Sequence, residues 1–148
     1  MESMPIAEPP SAQAPLQGGC LCGAVRFEIT MPFVSSGYCH CTYCQRRTGT
    51  GSSANARVPQ AGFRLLSGEQ QLTAFQPPGG KPKLFCVSCG SALFSGEPLS
   101  DELVAVRLGA LDRDPRIRPS FRQYVASAAS WEQIPDDGLE RHDGPRSS

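Results

Sequence analysis

Cys39-His40-Cys41-Thr42-Tyr43-Cys44 places three thiols within six residues, in the order C-x-C-x-x-C. So short a spacing lets one turn of backbone aim several sulfurs at one point. A tetrahedral zinc ion, with bonds to sulfur of about 2.3 Å, requires that arrangement. Outward from this stretch the other cysteines are clustered too: Cys20 and Cys22 form C-x-C, and Cys86 and Cys89 form C-x-x-C. Every cysteine of the chain falls in one of the three clusters. Seven is an odd number, which disulfides do not use up, and seven in 148 residues is below the ~8–10% of disulfide scaffolds.

The count suggests a partition. A closed structural zinc site takes four protein ligands, whereas a reactive one keeps three and an open position. The triplet Cys39, Cys41 and Cys44 is the natural three-ligand set. Cys20, Cys22, Cys86 and Cys89 would then close a four-thiolate site between the start and the later half of the domain, although spacing alone does not decide which pairs combine. Three thiolates leave a zinc complex with one negative charge, soft and thiophilic. An external thiol is the fitting fourth ligand, held as a thiolate ready to attack an electrophile. His40 is the alternative fourth ligand, but in an extended stretch its side chain points away from Cys39 and Cys41. His142 reads as a solvated residue.

Charge excludes one class of partner. The chain has 14 basic and 14 acidic residues, and only Lys81 and Lys83 of the basic set are lysines. Nucleic-acid binders draw affinity from a basic excess, and loading seven thiolates with two zinc ions would move the charge to about −3. No apolar run is long enough to span a membrane. Residues 1–10 show neither a basic nor an apolar signal region, so a cytoplasmic, reducing location is expected.

The domain reads as mainly β. Val25, Phe27, Ile29 and Met31 alternate with polar residues over 24–31, as on a half-buried strand. Further strands are expected at 63–66, 72–75, 83–86, 92–94, 103–108 and 121–125, with Gly/Pro punctuation between them. One helical turn is expected over 42–47. Residues 1–17 and 135–148 read as loose tails around a domain spanning 18–134.

Beyond spacing, the chain resembles the glutathione-dependent formaldehyde-activating enzyme (centromere-protein-V/Gfa) family. The resemblance is carried by Gly19-Cys20-Leu21-Cys22-Gly23-Ala24-Val25-Arg26-Phe27 and by the run Cys39 to Gly49. It continues in Leu66-Ser67-Gly68, Phe85-Cys86-Val87-Ser88-Cys89-Gly90-Ser91 and Leu108-Gly109-Ala110-Leu111-Asp112. It implies an Mss4-like β-tent of short antiparallel strands with two Zn²⁺ ions. Cys20, Cys22, Cys86 and Cys89 would hold the structural ion, and Cys39, Cys41 and Cys44 the catalytic one. The implied activity is S-(hydroxymethyl)glutathione synthesis, a carbon–sulfur lyase reaction joining glutathione to formaldehyde. Its partners are a small thiol and a small electrophile. Arg122, Ala126 and Ser130 depart from the family's pattern near the C-terminus. If the residues they replace touch substrate, the substrate has changed.

Arg46 and Arg47 follow the triplet and are candidates to pair with the glutathione carboxylates. Gly49, Gly51, Ser52 and Ser53 are either turn residues or backbone donors near a ligand. Tyr38 and Tyr43 are candidate proton donors. Trp131 is expected to be a packing residue. The competing readings are a non-enzymatic zinc module of the same fold and a nucleic-acid-binding zinc ribbon, the latter disfavoured by charge. On this reading the protein shows no submicromolar, salt-sensitive affinity for duplex DNA. A fluorescence titration at physiological and raised ionic strength checks this, and tight binding that collapses with salt contradicts it.

Overall fold

The computed structural model describes residues 8–96 and 102–146. It is mainly β, with eleven short strands in two sheets and one short helix. The small sheet contains β1 (Leu16–Gly19), β2 (Arg26–Ile29) and β5 (Phe63–Ser67), in the order β1-β2-β5 and antiparallel throughout. The large sheet includes β3 (Ser35–Cys39), β4 (Ser53–Pro59), β6 (Leu72–Phe75), β7 (Lys83–Cys86) and β8 (Ala92–Ser95). It is completed by β9 (Leu103–Arg107), β10 (Phe121–Gln123) and β11 (Glu140–Arg141), in the order β11-β10-β3-β4-β9-β8-β7-β6. Its β10 edge is parallel, pairing with both β3 and β11.

The core lies between the sheets. Val25, Phe27, Ile29 and Phe63 from the small sheet and its approaches meet Val58, Phe94, Val104 and Val106 from the large one. Phe63 links two other aromatic rings of that core, 5.5 Å from the Phe27 ring and 4.9 Å from that of Phe94 between centroids. Aromatic pairs at this separation add to the stabilisation from burial alone. The alternation over 24–31 thus buries Val25, Phe27 and Ile29 as expected, whereas Met31 lies beyond the strand and is exposed.

Alternation gives the large sheet two unlike faces. Ala56, Val58, Val104 and Val106 point to the core. Cys39, Asn55, Arg57, Ala105, Arg107, Ser95, Lys83 and Gln123 line a cavity elsewhere on that sheet. Register brings these residues side by side: Gln123 opposes Cys39, Cys39 opposes Ser53, and Asn55 opposes Arg107. Arg57 opposes Ala105, Ala105 opposes Ser95, and Ser95 opposes Lys83.

Both expected tails differ from the sequence reading. Residue 17 falls inside β1, where Leu16 is buried against the core, while residues 1–7 lie outside the described residues. In the stretch after 134, Glu140–Arg141 pair with β10 as β11, and Arg122 helps to hold the segment. Its guanidinium, 8% exposed, pairs with Asp137 at 2.7 Å and lies 4.5 Å over the Tyr38 ring. His142, expected to be solvated, donates its backbone N–H to the Arg122 carbonyl at 2.8 Å and sets its ring edge-on to Phe121. Trp131, expected in the core or at a rim, is not in the core: it is 69% exposed and lines a shallow hollow.

Arg122 holds the Asp137 carboxyl below the usual carboxylate range. The stability it contributes is therefore present above the unfolded carboxylate pKa and lost as pH falls through the folded one. Asp137→Asn should lower the melting temperature at neutral pH, with the gap to wild type closing in acid. Equal melting of the two proteins at pH 7 would contradict this.

Candidate metal centres

The four-sulfur group joins two hairpin tips. Cys20 and Cys22 lie in the turn between β1 and β2, while Cys86 ends β7 and Cys89 lies in the turn to β8. Their four sulfurs lie within 4.8 Å of one another. Cys20 Sγ is 3.6 Å from Cys22 Sγ, which is 3.8 Å from Cys86 Sγ. A tetrahedron with 2.3 Å bonds has edges of about 3.8 Å, so the group fits a zinc-sized ion and is far too wide for disulfides.

Each turn is closed by a glycine in the left-handed region, Gly23 at φ 81° and Gly90 at φ 79°. Gly23 N–H donates to the Cys20 carbonyl, and Gly90 N–H to the Cys86 carbonyl at 2.7 Å. A side chain would strain both positions. Val25 N–H donates to Cys20 Sγ at 3.3 Å, and the Ser91 hydroxyl lies 3.2 Å from Cys89 Sγ. The Ser91 hydroxyl and backbone N–H pull the Cys89 thiol down to about 5. Cys22 moves the other way, to about 11: the Ala24 N–H favours its thiolate, but sharing with Cys20, burial and the other two sulfurs outweigh this. Four crowded sulfurs cannot all ionise unless a cation joins them.

The three-sulfur group is built differently. Cys39 ends β3, Cys41 caps the helix α1 (Thr42–Thr48), and Cys44 lies in its first turn. Cys44 N–H donates to Cys41 Sγ at 3.3 Å, so the cap that starts the helix also orients a sulfur. The Ser53 hydroxyl donates to Cys44 Sγ at 3.1 Å, and Asn55 Nδ2 donates to that hydroxyl at 2.9 Å. Cys39 and Cys41, followed by Ser53 and the charge of Arg107, hold the Cys44 thiol well below the thiol range. The same sharing, with burial, pushes Cys39 up.

No fourth ligand completes this group among the described residues. His40 is fully buried, and its Nε2 lies 3.2 Å from Arg122 Nη1. Arginine can only donate, so Nε2 accepts. Burial, then the Arg122 charge, lowers the His40 pKa and favours the neutral ring. Gln45 Nε2 braces the turn by donating to the carbonyls of His40 at 2.8 Å and Ser127 at 2.9 Å.

Two cavities open beside the triplet and share Cys39, Cys44, Lys83 and Gln123. One, of about 420 Å³, is lined by Cys41, Tyr43, Gly79, Gly80, Tyr124 and Ser127. The other, of about 260 Å³, is lined by Asn55, Arg57, Ser95 and Arg107, among others. Tyr124, at its edge of the larger cavity, has φ 57°, a costly conformation for an aromatic residue.

Arg46 and Arg47 line neither cavity. Arg46 is exposed and Arg47 half-buried. Tyr38 packs under Arg122, and the Tyr43 hydroxyl donates to the Pro78 carbonyl at 3.2 Å. Arg122 lies in neither cavity, and Ala126 and Ser130 are exposed. Of the four small residues after the helix, Gly49 caps it, Ser53 supports Cys44, and Gly51 and Ser52 line a shallow hollow beside Trp131. Sequence reasoning missed Asn55, Arg57, Lys83, Arg107 and Gln123. The signal for two of them was the alternation Ser53-Ala54-Asn55-Ala56-Arg57-Val58, which is regular but polar on one face.

Residues 15–127 match the sequence profile of the family described as "Glutathione-dependent formaldehyde-activating enzyme". The chain belongs to that family. A Halomonas elongata protein whose name assigns it to the same family is 30% identical over 128 residues, covering 80% of each chain. A crystal structure of a Rhodobacter sphaeroides protein aligns with TM-score 0.55 and 27% identity, covering 68% of this chain and 92% of that one.

The two groups should respond differently to loss of a ligand. The four-sulfur group ties together turns far apart in sequence, and binding energy at such a site is folding energy. Cys89→Ser should therefore unfold the domain or remove most of its stability of ~5–15 kcal/mol. The triplet closes almost no loop, so Cys44→Ser should stay folded and lose about one metal ion per chain. Metal analysis with thermal melting separates the two, and an unfolded Cys44→Ser beside a folded Cys89→Ser reverses the assignment.

Proposed function

We propose that this chain is a zinc-dependent enzyme of the carbon–sulfur lyase type that adds glutathione or a related thiol to formaldehyde or a similar small aldehyde. The observation that carries this is the contrast between the two groups: one has four sulfurs, and the other has three and opens into two cavities. Structural zinc sites are closed by four protein ligands, whereas three ligands with an open position mark a reactive one. The cysteine clusters and the family's name support the reading.

Cys39, Cys41 and Cys44 would hold the reactive ion. When bound, that ion supplies Lewis acidity that keeps the incoming thiol as a thiolate at neutral pH. The Ser53 hydroxyl and the Cys44 N–H relieve charge on Cys44 and Cys41 and fix the direction of both sulfurs. The thiol enters through the larger cavity, whose Gly79 and Gly80 leave room beside the sulfurs. Lys83 lines both cavities, and on this reading its ammonium meets the negative charge that develops on the aldehyde oxygen and gives it a proton. Lys83 replaces Tyr38 and Tyr43 as donor in this account.

Because the adduct also forms without a catalyst, the test is one of rate. Exchange spectroscopy on ¹³C-formaldehyde and glutathione should show faster interconversion with the protein, with the acceleration lost in Cys44→Ser. Lys83→Met should reduce it by roughly 10²-fold or more, the scale of general acid catalysis. Identical exchange with wild type and Cys44→Ser would refute the enzyme reading.

A further inference from the structure

The smaller cavity is more highly charged than formaldehyde requires. Arg57 on β4, Lys83 on β7 and Arg107 on β9 all line it, and no carboxylate does so among the described residues. Arg107 is buried to 8% exposure, and Ser95 to 6%. The Arg107 Nε and the Ser95 hydroxyl have no hydrogen-bond partner among the described residues. Buried polar groups are almost always paired, and leaving a cation buried and unpaired is costly. The Asn55 carboxamide oxygen accepts from Arg107 Nη1, which aligns the guanidinium and neutralises none of its charge. The cysteine thiolates offset part of that charge, but on this account they are committed to metal.

Size separates the two cavities further. Pockets that enclose drug-sized ligands run from roughly 300 to 1,000 Å³. The larger cavity, at about 420 Å³, falls in that range and suits a peptide thiol. The cationic one, at about 260 Å³, falls below it and suits a fragment of a few heavy atoms.

We propose that the cationic cavity is a carboxylate subsite, and that its occupant is the electrophile: a small aldehyde bearing its own carboxylate, of the 2-oxo-acid class. This rests on the thiol-addition reading above and narrows its substrate. Arg57, Arg107 and Ser95 hold the carboxylate, leaving the carbonyl carbon toward the triplet. The thiol sulfur forms a bond to that carbon, and the π pair of the C=O bond moves to oxygen. The proton given up by the thiol ends on that oxygen. The product is an anionic hemithioacetal, formed without oxidant or reductant.

The test is calorimetric titration of the zinc-loaded protein with glycolate, which carries the carboxylate and cannot react, alongside glutathione and its diethyl ester. Glycolate should bind wild type, and binding should fall at least tenfold in Arg57→Gln and several-fold in Ser95→Ala, a substitution small enough to preserve the fold. Esterification of glutathione should change its binding little. With 2-mercaptoethanol as thiol, glyoxylate should be consumed faster than formaldehyde. No glycolate binding, or binding indifferent to both substitutions, overturns the proposal. So does a large loss on esterification, which would assign the cavity to the thiol's own carboxylates. In both cases persistent Cys44-dependent formaldehyde exchange would leave the thiol-addition reading standing, whereas its absence would remove that reading as well.

Discussion

Four sulfurs within 4.8 Å of one another cannot persist as anions unless a cation sits between them, and most of the molecule's organisation depends on that constraint. The hairpin tip of the small sheet and a hairpin tip of the large sheet each supply two of the four. An ion that satisfies them fixes the position of one sheet over the other. The aromatic cluster of Phe27, Phe63 and Phe94 fills the space this leaves. For a domain with few large apolar residues, a metal held there and the core would be complementary supports.

On the proposed reading, the second group would act on what the first holds in place. Its sulfurs sit where β3 gives way to α1, and the pairing register of the large sheet arranges polar side chains around them. One face of that sheet carries the core, and other side chains of the same strands carry the candidate chemistry. A one-residue slip of β4 would exchange Asn55 and Arg57 for Ala56 and Val58 and destroy both at once. Core packing thus enforces the register on which the cavities depend.

The C-terminal segment is held through Arg122, which the sequence reading marked as unlike the family's pattern. Arg122 turns away from the cavities, accepts Asp137 as counter-ion, and donates to the buried ring of His40. The residue that lines the cavities is its neighbour Gln123. Arg122 therefore bears on how residues 137–142 and the His40 imidazole are held.

Elements with an apolar signal were legible in the sequence: β6 and β7 fall where expected, and β5, β8 and β9 lie within a residue of it. The triplet and the two cysteine pairs were legible because ligand spacing is a local property, whereas the union of Cys20 and Cys22 with Cys86 and Cys89 rested on the ligand count and the family resemblance. β3 and β4 were not, since Ser35-Ser36-Gly37-Tyr38 and Ser53-Ala54-Asn55-Ala56 carry little apolar contrast and are buried by their neighbours' pairing. Arg57, Lys83 and Arg107 come from three strands, and only register unites them. On the proposed reading, seven sulfurs serve two unlike metal ions. X-ray absorption at the zinc edge, combined with metal analysis, tests it directly. The account predicts two ions per chain sharing seven zinc–sulfur bonds, with an eighth appearing on addition of glutathione. A single ion per chain, or a sulfur count that glutathione leaves unchanged, would contradict it.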